Sequence, residues 1–325
     1  MSAGLCERIE MKSCLLIISK HFYSFNKYIS QALESKGYEV IVANDEYPEG
    51  VLGRIMGKLQ IPLIFYVTEK VFDEQFIGGR HYDLVLIFKG RGMTPRLIEK
   101  LRQVSDRVVG YNWDSFRLNR SPLRWLKYTS KYYTFDYRDA ERHGLPMVEL
   151  FSSSHPLDEK KAVYEVSAIV RNHGQRLAYI DRALSILKPE SVFISVFEHS
   201  VVTLALNFIQ NPALYIKYWK YISFKSLPYA KYTQVLSDSV FTIDFAHETQ
   251  TGITMRCFEA INAKTKIITN IPYIKRSVCF NEQDYIVFED FGQPDDLLND
   301  YRKKLDQPFV SSPRHITHFI DDLLA

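Results

Sequence analysis

Apolar runs of strand length alternate with helix-like patterns along this chain, and this alternation is found in each half of the chain. The strand candidates of the first half are 13–19, 39–43, 63–67, 83–88, 107–111, 132–135 and 147–151. Helix candidates fall at 22–36, which ends at Gly37, and after Thr94-Pro95, where a threonine cap precedes a first-turn proline. Strands that are regularly separated by helices predict a parallel sheet with helices on both faces.

The same alternation restarts in the second half. Strand candidates are 164–170, 192–197, 239–245, 266–269 and 284–288, and helix candidates are 176–187, 201–209 and 229–236. The polar, proline-containing stretch Ser152–Lys161 is the best linker candidate. We therefore predict an α/β protein with domains at 1–154 and 155–312. A short amphipathic helix at 313–325 is expected to pack back on the first domain.

Composition narrows the class of protein. The formal net charge of +3 is too small to favour nucleic acid as a partner. Four scattered cysteines without a CxxC pattern are typical of buried thiols in a reducing compartment. Met1–Glu10 lacks the apolar core of a secretory signal, and no run approaches the ~20 apolar residues of a membrane span. A cytoplasmic protein is expected.

The segment from Asp244 to Ala263 carries the strongest functional signal. An apolar strand leads into the polar loop 247–251, then Gly252, and then a helix pattern in which Gly252, Arg256 and Glu259 share one face. The start of a helix attracts anions because its first N–H groups have no internal partner. Polar loops after strands are also where ligands of open α/β sheets bind. Thr251 and Gly252 are therefore predicted to hold an anion beside Arg256, although an Arg and a Glu three residues apart are also common solvated partners.

Three other strand ends in the first half carry polar residues. Lys20 and His21 follow the first strand, and Lys89 and Arg91 lie in a glycine-containing loop before a capped helix. Asp114 follows the strand candidate 107–111 beside an aromatic residue. Its carboxylate is a candidate acid, base or nucleophile, and the alternative is a helix cap.

Two strand ends in the second half suit a phosphate. Arg171 and Arg176 flank a glycine at a helix start, and guanidinium groups bind two phosphate oxygens at once. Ser226 places a hydroxyl at another strand-to-helix junction. The alternative for the arginines is a solvated helix end.

Several motifs are absent from the sequence. No Asp-x-Asp pair occurs to hold a divalent metal against a diphosphate, and the nine His show no metal-ligand spacing. There is no GxGxxG, no P-loop and no G-x-S-x-G elbow. These absences argue against dinucleotide oxidoreductases, P-loop enzymes and α/β hydrolases, and no metal or other cofactor is expected.

Three segments resemble a known family: Tyr229–Asp244 (YAKYTQVLSDSVFTID), Gln250–Ala260 (QTGITMRCFEA) and Lys266–Asn270 (KIITN). They are similar to the C-terminal half of bacterial GT-B glycosyltransferases, especially those that build capsule, lipopolysaccharide and related surface glycans. The resemblance implies two Rossmann-like domains facing a cleft, with Thr251, Gly252, Arg256 and Glu259 on the donor side. Arg176 matches the arginine that follows the glycine turn of this family, whereas Arg171 stands where that glycine is usual. The acidic pair spaced eight apart in many retaining members is not reproduced, because Glu248 and Glu259 are eleven apart.

The resulting hypothesis is transfer of a sugar from a nucleotide-sugar donor (UDP, GDP or CMP) to a glycan or lipid-linked glycan. Arginines and helix N–H groups would neutralise the leaving phosphate in place of a metal. Asp114 or Glu248 would deprotonate the acceptor hydroxyl or stabilise an oxocarbenium-like centre. The alternatives are a non-catalytic nucleotide-sugar-binding or glycan-binding protein of the same fold and a GT-B-like epimerase.

Two segments that mix cations with aromatics bear on further partners. Residues 117–133 and 214–225 have the composition of surfaces that contact lipid-linked glycans or membranes. The alternative, which we favour from sequence, is core aromatics with cations reaching solvent. Peripheral contact with the inner membrane or with other glycan-assembly enzymes is therefore kept as an expectation.

Overall fold

The computed structural model describes residues 11–19, 25–153, 162–172, 175–247, 249–288 and 294–325. These residues divide into two compact units. Unit 1 is formed from 1–149 together with 316–325, and unit 2 from 150–315. The sequence predicts a domain boundary after residue 154 and a separate C-terminal helix that begins at residue 313. The units are described separately below.

Unit 1 contains a five-stranded sheet in the order β2-β1-β3-β4-β5 with every pair parallel. Its strands and helices in chain order are β1 (Lys12–Ile17), α1 (Phe25–Glu34), β2 (Tyr38–Ala43), α2 (Val51–Leu59), α3 (Pro62–Phe72), β3 (Leu84–Phe88), α4 (Pro95–Gln103), β4 (Val108–Asn112), β5 (Lys131–Thr134) and α5 (Tyr137–His143). The fully buried runs Leu84–Phe88 and Val108–Asn112 are continuous rather than alternating, as expected for strands covered on both faces.

Unit 2 contains a six-stranded parallel sheet in the order β11-β10-β9-β6-β7-β8. Its elements are β6 (Tyr164–Arg171), α6 (Arg176–Leu187), β7 (Val192–Phe197), α7 (Val201–Gln210), α8 (Pro212–Tyr218), β8 (Ile222–Ser223), α9 (Tyr229–Ser237), β9 (Ser239–Asp244), α10 (Met255–Asn262), β10 (Lys266–Thr269), β11 (Tyr285–Val287) and α11 (Pro294–Leu305). Two parallel sheets with intervening helices confirm the predicted α/β class.

The last helix, α12 (Ile316–Leu324), belongs to unit 1. Its Phe319 is fully buried, with its ring 5.0 Å from that of Tyr111 in β4 and 6.3 Å from that of Phe88 in β3. The helix therefore covers the sheet of unit 1, which confirms the expectation that it packs back on the first domain.

Several local predictions were wrong. Residues 63–67 form part of helix α3 and not a strand, because Pro62 occupies the first turn and Ile64, Thr68 and Phe72 are buried at helical spacing. Residues 147–151 make only an isolated bridge at Met147. Helices α8 and α11 were not predicted.

The predicted start at Thr94-Pro95 is confirmed, since the Thr94 hydroxyl accepts a hydrogen bond from the Leu97 backbone N–H at 3.1 Å.

Candidate functional site

Strands β6 and β9 are neighbours in the sheet of unit 2, so the residues that follow them meet at one edge. The two strands are parallel, with Val166 opposite Phe241 and Ser167 opposite Thr242. Asp244 ends β9 and Arg171 ends β6. Because carboxyl ends of adjacent parallel strands form ligand sites in open α/β sheets, this edge is the candidate site of unit 2.

Asp244 is the centre of this edge. Its side chain is 2% exposed, and its Oδ1 lies 2.7 Å from Nη2 of Arg256, a side chain that is 27% exposed. Oδ2 accepts a hydrogen bond from the Thr254 hydroxyl at 2.6 Å. The Sγ of Cys257 lies 3.4 Å from the same oxygen. One buried carboxylate therefore fixes the start of helix α10 to the end of β9.

Arg176, the first residue of α6, adds a second guanidinium to the edge. Its Nη1 donates to the Arg171 carbonyl at 3.2 Å, which directs the side chain back over the end of β6. Burial and then the nearby charge of Arg256 lower the pKa of Arg176 to about 10. Across the described residues, Arg176 forms no ion pair with a carboxylate.

Among the described residues, the Asp244 carboxylate pairs with Arg256 and lies near Arg176 without pairing with it. Burial lowers the pKa of Arg256, but the Asp244 carboxylate and smaller contributions from other neighbouring groups together outweigh burial and leave that pKa above its usual value. A partly buried pair of guanidinium groups, of which only one has a carboxylate partner among the described residues, favours an anion as a further partner. Phosphate oxygens match the fork of donors that a guanidinium presents.

The start of α10 differs from the sequence expectation. The helix begins at Met255, and Thr254 is its N-cap residue. Gly252 therefore lies in the loop before the helix, and the predicted helical face of Gly252, Arg256 and Glu259 is wrong at Gly252. The Thr254 hydroxyl donates a hydrogen bond to Asp244 and accepts no cap hydrogen bond from a backbone N–H. Thr251 and Gly252 are both buried in that loop.

Glu259 does not project as a free carboxylate. It is buried, its Oε1 accepts a hydrogen bond from the Tyr229 hydroxyl at 3.0 Å, and burial raises its pKa. This hydrogen bond joins α10 to α9.

The remaining predicted residues of unit 2 are more dispersed. Arg171 is exposed at the end of β6. Its charge lies close enough to Arg176 to lower the pKa of Arg176. Ser226 is exposed after the edge strand β8, three positions from β9, and the cap of α9 is Pro228 rather than a hydroxyl residue. Glu248 lies outside the described residues.

The carboxyl edge of the sheet in unit 1 also collects charged side chains. Lys89 Nζ lies 2.8 Å from Asp114 Oδ2, so the candidate acid is held by a cation. No helix begins directly after Asp114, which removes the helix-cap alternative. Arg91 is half-buried, and its backbone N–H donates to Asp45 Oδ2 at 3.4 Å. Lys20 and His21 lie outside the described residues.

Asp45 and Glu46, which follow β2, are two buried carboxyl residues that the sequence did not single out. Burial raises the pKa of both. For Glu46 burial and the adjacent Asp45 raise it from 4.5 to about 7. Asp244 was also missed as a site residue. The sequence feature that points to Asp244 is a carboxylate at the end of an otherwise apolar strand.

Within the described ranges, no three His, Cys, Asp or Glu side chains lie together as metal ligands would. Among the helices described, none is both long and apolar enough to cross a membrane. Cys14, Cys257 and Cys279 are buried free thiols.

Comparison with solved structures gives the class of the fold. A glycosyltransferase involved in avilamycin A biosynthesis aligns with a TM-score of 0.57 at 10% identity and covers 96% of each chain. A lipopolysaccharide outer core galactosyltransferase aligns with a TM-score of 0.56 at 11% identity, over 96% of this chain and 95% of its own. The UDP-GlcNAc 2-epimerase of Methanocaldococcus jannaschii aligns with a TM-score of 0.55 at 13% identity, over 97% and 99%.

At these low sequence identities, the alignments show similarity of fold. The chain has the two-sheet α/β fold of the GT-B type over nearly its whole length. No protein-family model matches its sequence, and no curated protein matches it significantly.

Proposed function

We propose that this protein is a glycosyltransferase that moves a sugar from a nucleotide-sugar donor to a glycan or lipid-linked glycan in bacterial surface polysaccharide synthesis. The observation that carries the proposal is the pair of neighbouring guanidinium groups, Arg176 and Arg256, of which only Arg256 is paired with a carboxylate, that of Asp244, among the described residues. A nucleotide phosphate supplies a partner for Arg176.

Charge stabilisation is the chemistry that the cluster supplies. As the bond between sugar and phosphate breaks, negative charge grows on the departing nucleotide, and preorganised cations stabilise it without rearranging. The start of α10 adds backbone N–H groups and the positive end of the helix dipole. In this proposal the arginines take the part that a divalent metal plays elsewhere, so transfer needs no metal.

The other donor-side assignments follow from position. Arg171, Thr251 and Gly252 lie at strand ends or in the loop before α10, and Ser226 follows β8. We assign Glu259 the role of holding α10 in place through Tyr229. Asp114, fixed by Lys89, and Glu248 remain the two candidates for the catalytic carboxylate. We assign Lys89 and Arg91 to the acceptor side, together with Lys20 and His21.

The known relatives of the fold support two chemistries. Two of the aligned structures are named as glycosyltransferases, and the third is an epimerase solved with UDP-GlcNAc and UDP. The second candidate function is therefore epimerisation of a nucleotide sugar. Contact with the inner membrane or with other glycan-assembly enzymes, and a cytoplasmic location, remain predictions.

One experiment tests transfer and separates the two chemistries. UDP, GDP and CMP are first compared by thermal shift, because a ligand that binds only the folded state raises Tm. Sugars carried on the nucleotide that binds are then incubated with the protein and a bacterial glycan and glycolipid extract, with and without EDTA. Release of the nucleotide together with a labelled glycan product supports transfer. A changed sugar configuration on an intact nucleotide sugar would instead establish the epimerase.

A further inference from the structure

Helix α2 packs against the rest of unit 1 mainly through two glycines, and its aliphatic side chains lie in solvent. Its buried residues are Gly53, Met56 and Gly57. A methyl group on Gly53 would come within 1.7 Å of the Pro48 carbonyl oxygen, and one on Gly57 within 1.9 Å of Glu46 Oε2. The helix therefore lies directly against the loop after β2 because these two positions lack a side chain.

The opposite face of α2 is an exposed apolar stripe. Four aliphatic side chains form it, namely Val51 (64% exposed), Leu52 (64%), Ile55 (50%) and Leu59 (66%). At 3.6 residues per turn they fall within an arc of about 100°. This arrangement is the reverse of an ordinary surface helix, whose apolar stripe faces the core. We call these four residues the α2 stripe.

A basic pocket of about 460 Å³ adjoins the C-terminal end of α2. Five cations line it, namely Lys58, Arg91, Arg117, Arg120 and Arg124, and none of the described residues that line it is acidic. None of the five forms an ion pair with a described carboxylate. We call this the basic pocket of unit 1.

The basic pocket has ordered walls. The Arg124 guanidinium lies 4.5 Å from the centre of the Phe65 ring and donates a hydrogen bond to the Gln60 side chain. Asn119 and Ser121 are buried beside it and are joined by a hydrogen bond of 3.3 Å from the Ser121 N–H. Leu118 and Leu123, both exposed, add apolar surface to the same wall.

We propose that this face of unit 1 docks on an anionic membrane, with the phosphate of a lipid headgroup in the basic pocket and the α2 stripe in the acyl boundary. Lys58 and Leu59 are consecutive residues, so the cationic and apolar parts are contiguous. A phosphate-bearing lipid satisfies both parts at once, whereas a soluble phosphate compound leaves the stripe in water. Aliphatic side chains beside Lys and Arg are the composition of interfacial helices.

This inference extends the proposed function, because a lipid-linked acceptor would be met on such a surface. Its test measures lipid binding and not sugar transfer, so a failure of membrane docking can be distinguished from a failure of the proposed transfer activity. Unit 2 offers a matched control. Helix α7 also exposes aliphatic residues, including Leu206 and Ile209, but it contains no Lys or Arg.

The experiment is sedimentation of the full chain with vesicles of phosphatidylcholine alone or mixed with phosphatidylglycerol. We expect the wild type to bind the mixed vesicles at least about tenfold more tightly, since each basic residue near an anionic surface contributes favourably. The triple variant R117Q/R120Q/R124Q should lose that preference. The variant L52S/L59S should bind both vesicles more weakly, and the control L206S/I209S should match the wild type. Circular dichroism and Tm verify that each variant is folded.

Four results would overturn the inference. The first is equal or absent binding of the wild type to the two vesicle types. The second is an unchanged triple variant, and the third is loss of binding in the α7 variant but not in the α2 variant. The fourth is calorimetric binding of inorganic pyrophosphate that depends on the three arginines without any vesicle binding, which would assign the pocket to a soluble ligand.

Discussion

The Nη2 atom of Arg256 lies 2.7 Å from Oδ1 of Asp244, and this contact joins the start of helix α10 to the end of strand β9. The carboxylate is almost fully buried, while the guanidinium is partly exposed. Arg176 approaches the same carboxylate without forming an ion pair among the described residues. The two arginines therefore differ in role, since one is tied to the fold and the other is left for a ligand.

Removing the tied arginine should destabilise the protein. In R256Q the buried Asp244 loses its cation, and we expect the free energy of unfolding to fall by about 3 kcal/mol. The double variant D244N/R256Q should recover much of that loss, because it removes both charges of the pair. Urea unfolding of the wild type, both single variants and the double variant measures the coupling. Additive effects of the two single substitutions would show that the pair contributes nothing to stability.

Glu46 should make stability depend on pH. Its pKa is raised from 4.5 to about 7 in the folded protein, so the folded state holds the proton more tightly than the unfolded chain. The stability from this group is fully present below pH 4.5 and is lost as pH rises through 7. E46Q should therefore gain stability relative to the wild type as pH rises from 5 to 8, by up to about 3 kcal/mol.

The control for this prediction is E99Q, which changes an exposed carboxylate on α4. Urea unfolding at both pH values gives the comparison. The same pH dependence in the wild type and E46Q would mean that Glu46 titrates alike in the folded and unfolded states.

Close packing of α2 against the loop after β2 gives a third prediction. The methyl group of G53A would lie 1.7 Å from the backbone oxygen of Pro48, so the helix must move and we expect a loss of at least about 2 kcal/mol. In G78A the nearest atom is the Asp73 carbonyl oxygen at 3.6 Å, an ordinary contact, so Tm should hardly change. Thermal unfolding of both variants is the measurement. Equal Tm values would place α2 farther from Pro48 than described.

The fold was largely predictable because both sheets are built from short apolar strands that end at polar residues. Lys266–Thr269 and Arg176–Leu187 have the bounds that the sequence predicts. The strand prediction for residues 63–67 was wrong because five consecutive apolar residues fit a buried strand as well as a helix. Pro62 in the first turn and buried residues spaced one turn apart distinguish the helix from a strand. Helix α11 was missed because its charged composition hides its apolar spacing.

The candidate site was predictable in part. Arg176, Arg256 and the loop at Thr251 follow from strand ends, which a sequence reveals. The basic pocket does not, because Lys58 meets Arg117, Arg120 and Arg124 only through packing of distant segments. Local sequence also gave no sign that Asp244 pairs with Arg256 while Arg176 pairs with no carboxylate among the described residues.

The binding of the nucleotide part of the donor tests the central claim most directly. Calorimetry should compare UDP, or whichever of UDP, GDP and CMP raises Tm most, with the matching nucleoside for the wild type, R176Q and the control R302Q on α11. We expect the wild type and R302Q to bind the nucleotide far more tightly than the nucleoside. R176Q should keep its Tm but lose at least about tenfold in nucleotide affinity, since a charged hydrogen bond contributes about 1.5–3 kcal/mol. Undiminished nucleotide binding by R176Q would contradict the assignment of this arginine cluster to the departing phosphate.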